Sequence, residues 1–209
     1  MFYGDEILSN ELLSVMLASG SAQRLTLLSQ ILPKTRVIVN PTGIDEARFH
    51  ELGPKARCSQ LAHAKASAAV ETLGGKPEVS FVIGADTEVI CRGVELGKPL
   101  CEEEARVMLE SLRGASHEVV TGVSVFDVQM ERWIDSTEVT TVHFKNFPES
   151  MLEAYLGSNE WHGKSGGYAL QGRGVLLAAG IQGSYSNVVG LPLERLGEIL
   201  FEEFNCDIG

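Results

Sequence analysis

Along the chain, short apolar runs of strand type alternate with stretches in which apolar residues recur every three or four positions. Val15 to Ala18 is an apolar run stopped by Ser19-Gly20-Ser21. Leu25, Leu28 and Leu32 then repeat at helical spacing, so the pattern predicts strand, tight turn, helix. Arg36 to Val39 is a β-branched strand closed by Asn40-Pro41 and Gly43. Cys58 to Leu73 reads as a helix with Leu61, Ala68, Ala69 and Leu73 on one stripe, ended by Gly74-Gly75. Phe81 to Ala85 is a buried-type strand ending at Asp86-Thr87. Glu88 to Cys91 continues extended, and Arg92-Gly93 marks a turn.

Glu102 to Leu112 is amphipathic, with Ala105, Met108, Leu109 and Leu112 on its inner face and acids in its first turn. Glu118 to Val128 and Trp133 to Lys145 are long strand-like runs joined by Gln129-Met130-Glu131-Arg132, the pattern of an antiparallel hairpin. Met151 to Leu156 predicts a short helix, Val175 to Ile181 a strand, and Leu193 to Phe204 the last helix. Alternating strands and helices with a long hairpin indicate an α/β protein with a mixed sheet and flanking helices. No repeat or linker divides the 209 residues, so one domain over 1–209 is expected.

Composition narrows the function classes. Apolar residues make up 44% and charged residues 22%, a globular balance that leaves no room for extended disorder. No apolar run approaches the roughly 18 residues of a spanning helix, so no membrane partner is expected. Seventeen basic against 28 acidic residues give a net charge of −11, which disfavours nucleic acid but not a small anion held by a few placed cations. Cys58, Cys91, Cys101 and Cys206 are scattered, and Met1 to Asn10 lacks a basic-then-apolar leader pattern. Reduced thiols in the cytoplasm are therefore expected. The five histidines show no metal-ligand spacing.

Four segments could carry chemistry. Ala18 to Arg24 offers backbone N–H groups at a helix start, hydroxyls and one Arg, a ready anion site; alternatively Ser21 only caps the helix. Lys65 falls on the apolar stripe of its helix, where it must snorkel or serve a buried anion. Asp86-Thr87 stands at the end of an apolar strand, where a carboxylate suits metal binding or base catalysis, although Asp is also a common turn former. Gly97-Lys98-Pro99 adds a cation beside a stiff proline. Gly163-Lys164-Ser165 has the ring of a P-loop, but its preceding glycine, Gly157, stands one place too early, and the segment follows a helix. With the acidic pair Asp45-Glu46, these cations suggest a phosphate ester and a divalent metal.

Taken in order, the blocks resemble the Maf family of nucleotide pyrophosphatases. Leu17-Ala18-Ser19-Gly20-Ser21 with Arg24, Leu27 and Leu28 is similar to the family's opening motif. Gly43 to Glu46, Ala62 to Ala66, Gly84 to Thr87 and Gly97 to Pro99 follow in the family's order. So do Gly114 to Gly122, Gly163 to Gln171, Gly183 to Tyr185 and Asn187 to Pro192. The resemblance spans about residues 15 to 200 and implies hydrolysis of a nucleoside triphosphate to the monophosphate and pyrophosphate with Mg²⁺ or Mn²⁺. It also implies an inosine triphosphate pyrophosphatase-like fold, two lobes around a deep cleft, and a homodimer.

Carried over by position, the resemblance makes Asp86 the proton acceptor, with Lys65, Lys98 and Glu46 beside it and Asp86 and Glu46 as metal ligands. Ser19, Gln23, Arg24, Thr87 and Gln171 would bind substrate. Thr87 and Gln171 resemble the branch acting on dTTP and UTP, whereas Gln23 departs from that branch, which usually has a second Arg there. A purine (inosine or xanthosine) triphosphate pyrophosphatase and a non-catalytic nucleotide-binding regulator of cell division are the alternative readings.

Overall fold

The computed structural model describes residues 13–32, 35–74 and 78–206. The leader expectation at Met1 to Asn10 and Gly75 of the helix stop lie outside them. Among the described residues, seven strands form one mixed sheet: β1 (Ser14–Leu17), β2 (Arg36–Val39), β3 (Phe81–Cys91), β4 (Val94–Leu96), β5 (Ser116–Asp127), β6 (Arg132–Phe144) and β7 (Ala178–Gln182). Their order is β2-β1-β3-β5-β6-β7, with β4 also on β3. β1 runs parallel to β2 and β3, and all other pairs are antiparallel. The helices are α1 (Ala22–Ile31), α2 (Pro54–Glu71), α3 (Glu102–Leu112), α4 (Glu149–Leu156), α5 (Tyr185–Val189) and α6 (Leu193–Glu198). The expected mixed-sheet α/β fold with flanking helices is the observed one.

Three expectations are corrected, and one element, α5, had none. Asp86-Thr87 does not end a strand but sits in the middle of β3, because the apolar run continues to Cys91 and pairs with β5 throughout. The strand expected over Val175 to Ile181 starts only at Ala178. Residues 172–176 form a 3₁₀ turn instead, since Gly172 has φ +75° and the N–H of Arg173 is held by Glu160. α5 is an element whose five residues are too few to show a period. The last helix does not run evenly to Phe204 but widens into a π-type turn over Ile199–Glu203.

The sheet's two faces are covered differently. On one face α2 packs across β3 and β5, seated by two glycines. A Cβ on Gly84 would overlap the Ala62 carbonyl and one on Gly122 the Cys58 carbonyl, so only glycine admits the helix this close. On the other face the apolar residues fall into two clusters. Val15, Leu17, Leu28, Ile83 and Val125 pack with Leu191, Leu196 and Ile199, while Val89, Cys91 and Val119 pack with α3, α4, Phe144 and Leu177. Between the clusters, the same faces of β3 and β5 present Thr87 and Thr121, whose hydroxyls lie 2.9 Å apart. This polar seam divides two lobes. No helix of the described residues is long and apolar enough to cross a membrane.

Candidate active site

The site follows from how β3 is paired. β1 accompanies it only as far as Ile83, where the Ala18 N–H donates to the Ile83 carbonyl, and then turns away through Ser19–Ser21 into α1. β4 joins the same edge only from Val89. Residues 84–88 therefore face no strand on that side, and a cleft opens at the gap. Side chains from both faces of β3 reach it, which is why Asp86 and Thr87, pointing opposite ways, both line it.

Lys65 comes to Asp86 from α2. Its Nζ donates to Asp86 Oδ1 at 2.6 Å and lies 2.8 Å from Glu46 Oε1. Lys65 and Asp86 are nearly buried, with side chains 13% and 12% exposed. Lys65 thus serves an anionic site and does not snorkel. Burial works to raise the Glu46 pKa, but Lys65, Lys98 and Arg24 together hold it below the usual carboxylate value. Its neighbour Asp45 turns away to cap a 3₁₀ turn, accepting from the Ala47 N–H at 3.3 Å.

Arg24 uses three of its five N–H donors within the protein and lines the cleft with the rest. Its guanidinium donates to the Gly190 carbonyl at 2.8 Å, Ser19 Oγ at 3.1 Å and Thr87 Oγ1 at 3.0 Å. Burial lowers its pKa against the fields of Asp86, Cys58 and Glu46. Thr87 Oγ1 also meets Thr121 Oγ1 at 2.9 Å and donates to the Gly190 carbonyl at 3.4 Å, so the hydroxyl is engaged within the protein. Ser21 caps α1 by accepting from the Arg24 N–H, and its hydroxyl donates to Gln23 Oε1 at 3.3 Å. It is thus cap and cleft wall at once.

Gln23, Arg24, Lys65, Asp86, Thr87, Lys98 and Gln171 all line the cleft. Ser19 and Glu46 stand just behind, joined to it through Arg24 and Lys65. One cation is additional. Lys164 lines the cleft, and burial followed by the charge of Lys98 lowers its pKa. Its signal in the chain was the Gly-Lys-Ser triplet. The triplet fails as a P-loop, yet it brings its lysine to the cleft.

A divalent cation fits the donors present. Asp86 and Glu46 converge on one point, now marked by Lys65 Nζ, and offer hard carboxylate oxygens of the kind Mg²⁺ and Mn²⁺ prefer. A second convergence, of Cys58, Asp86 and Glu88, is less suited to metal. Burial pushes the Cys58 thiol far up, and it donates to the Val120 carbonyl. Glu88 is held by Arg57, whose guanidinium lies 2.7 Å from its Oε2 and also contacts Glu95. Burial raises the pKa of Glu88 against that pull of Arg57.

The family model of Maf-like proteins matches residues 14–203. A dTTP/UTP pyrophosphatase of Moorella thermoacetica is 43% identical over 189 residues, covering 89% of this chain and 93% of that protein. A second, from Pelotomaculum thermopropionicum, is 41% identical over 186 residues, covering 89% and 94%. A solved dITP/XTP pyrophosphatase from Mycobacterium abscessus aligns over 92% of this chain and 94% of that one, at 10% identity and a TM-score of 0.41.

Proposed function

The chain belongs to the Maf-like protein family, and from that premise we propose that it is a nucleoside triphosphate pyrophosphatase acting on dTTP, UTP or their modified forms. The observation that carries the reading is one lysine bridging two carboxylates at the mouth of a cation-lined cleft, in a chain over 40% identical to dTTP/UTP pyrophosphatases.

A triphosphate brings about four negative charges, which must be met before a nucleophile can approach. Lys98 and Lys164 have no carboxylate within ion-pair distance among the described residues, so they are the cations free to receive it. Lys65 is shared between Asp86 and Glu46, and a phosphate oxygen arriving there competes for its protons. Asp86 then accepts the proton of a water that attacks the α-phosphorus in line. The α–β P–O bond breaks, the monophosphate keeps the water oxygen and pyrophosphate departs. Asp86 and Glu46 would hold a divalent cation, which when bound neutralises phosphate charge and orients its oxygens. Arg24 fixes the loop and the strand edge together with Ser19, and its two remaining N–H donors are offered to the substrate.

The reading takes residues 1–209 as one domain in a cytoplasmic homodimer, with no nucleic acid or membrane partner. Its test is a panel of purine and pyrimidine triphosphates with Mg²⁺ or Mn²⁺ and identification of products. Monophosphate plus pyrophosphate from dTTP or UTP is expected. Binding without hydrolysis would favour a nucleotide-sensing regulator, and light scattering checks the dimer.

A further inference from the structure

The cleft at Asp86 has a volume of about 150 Å³. That is short of the roughly 300–1,000 Å³ of cavities that enclose a drug-sized ligand, the size class of a nucleoside triphosphate. A substrate of that size extends past the cleft or stands partly in solvent. Gln171 lines the cleft and also lines a second, more open cavity of about 430 Å³. Leu27 and Ile31 of α1 and Leu193 of α6 give that cavity an apolar wall, and the Tyr185 ring, 44% exposed, stands beside them.

The two cavities differ in charge. The cleft holds Lys65, Lys98 and Lys164, whereas the one charged side chain on the second cavity is Glu194. The Glu194 carboxylate accepts from Ser184 Oγ at 2.7 Å and Ser186 Oγ at 2.6 Å, which fixes it in place. A polyphosphate is repelled from a fixed carboxylate, while a base N–H or a ribose hydroxyl can donate to it. The Thr87 hydroxyl is engaged inside the protein, and of the two amides on the cleft, Gln23 and Gln171, only Gln171 stands at the junction with the second cavity.

We infer that the substrate spans both cavities, phosphates among the lysines and nucleoside beyond Gln171, with the base against Tyr185 and the Leu27–Ile31–Leu193 wall. The inference rests on the pyrophosphatase reading and assigns its substrate an orientation.

The test compares binding of α,β-imido-dUTP and of inorganic tripolyphosphate, both with Mg²⁺, by calorimetry. Tyr185→Ala is expected to weaken the nucleotide about tenfold, as loss of a base-stacking ring does. Tyr185→Phe is expected to retain affinity, and Glu194→Gln to weaken it several-fold. Tripolyphosphate affinity should stay unchanged in all three, with melting temperature reporting that each is folded. Unchanged nucleotide affinity in both Tyr185→Ala and Glu194→Gln would overturn the inference. So would equal weakening of the two ligands, or no binding of the analogue by the wild type. The activity reading fails separately, if the wild type binds the analogue but leaves dTTP and UTP uncleaved.

Discussion

Lys65 Nζ lies 2.6 Å from Asp86 Oδ1 and 2.8 Å from Glu46 Oε1, so one ammonium holds two carboxylates that would otherwise repel each other. The pair joins α2 to β3 at the level where β1 has left the sheet. Two turns earlier on α2, Arg57 makes the parallel connection to Glu88. The charges of β3 are thus answered from one helix. That arrangement leaves Lys98 and Lys164 for an incoming anion.

Asp86→Asn should abolish turnover in a folded protein. The change is nearly isosteric and removes the proposed proton acceptor, a loss of about 10²–10⁴-fold in rate. Steady-state kinetics alongside a melting curve check it. Near wild-type kcat would take Asp86 out of the mechanism.

Lys65→Met keeps the length and apolar stem of the side chain but strips the ammonium from between Asp86 and Glu46. Activity should fall on the order of 10²–10³-fold, the scale of losing one placed electrostatic group. Thermal stability should also fall, because Asp86 is 12% exposed and loses its ammonium, while Glu46, 55% exposed, can turn to solvent. Collapse of the melting temperature with kinetics intact would make this lysine a structural residue.

Lys164→Met should raise KM for triphosphates about tenfold while kcat holds, if the lysine binds phosphate equally before and during the reaction. Its contribution should shrink at high ionic strength. A variant with unchanged KM at low salt would assign phosphate binding to Lys98 alone.

Specificity should turn on Gln171 and Gln23. Pyrimidine triphosphates should outpace ATP and GTP, because a buried polar group left unpaired by the wrong base costs roughly 1–3 kcal/mol. Gln171→Glu should lower kcat/KM on pyrimidine triphosphates by placing a carboxylate in the cleft. Gln23→Arg should raise it by adding a cation beside Ser21. A purine triphosphate emerging as the best substrate would remove the base assignment and leave the pyrophosphatase chemistry standing.

His117 makes stability pH-dependent. It is 2% exposed, its Nε2 shares a 2.7 Å hydrogen bond with Tyr168 Oη, and burial with the field of His143 lowers its pKa from 6.5 to about 4. A lowered histidine pKa means the folded state prefers the neutral ring. Its contribution is whole above pH 6.5 and fades as pH falls through 4, by about 3 kcal/mol. His117→Gln should therefore lose less stability than the wild type between pH 6.5 and 4 in urea titrations. Parallel losses would show that carboxylates alone govern that window.

Elements with a strong local period were legible in the chain. β2 and α3 begin and end where their apolar patterns do, and Lys65 announced itself as a charge on an apolar stripe. What escaped depends on distant partners. The length of β3 is set by pairing with β5 through Ile90, which no local signal at Asp86 reports. Arg57 and Glu88 are 31 positions apart, and only the packing of α2 on β3 brings them together. Lys164 was visible as part of a triplet, but its role emerges only when the chain returns to Gly97, whose carbonyl accepts from the Gly166 N–H at 2.9 Å.

Gly84 and Gly122, which seat α2, also bracket Asp86: Gly84 lies two residues before it on the same face of β3, and Gly122 is its register partner on β5. The thickness of this helix–sheet joint therefore sets the reach of Lys65. An added methyl at either glycine acts as a shim, lifting the helix and drawing the ammonium off Asp86, so damage to the fold there registers as a defect in chemistry. Rigidity at the joint and competence at the cleft form a single mechanical property, and variants that thicken it cannot be rescued by restoring charge alone.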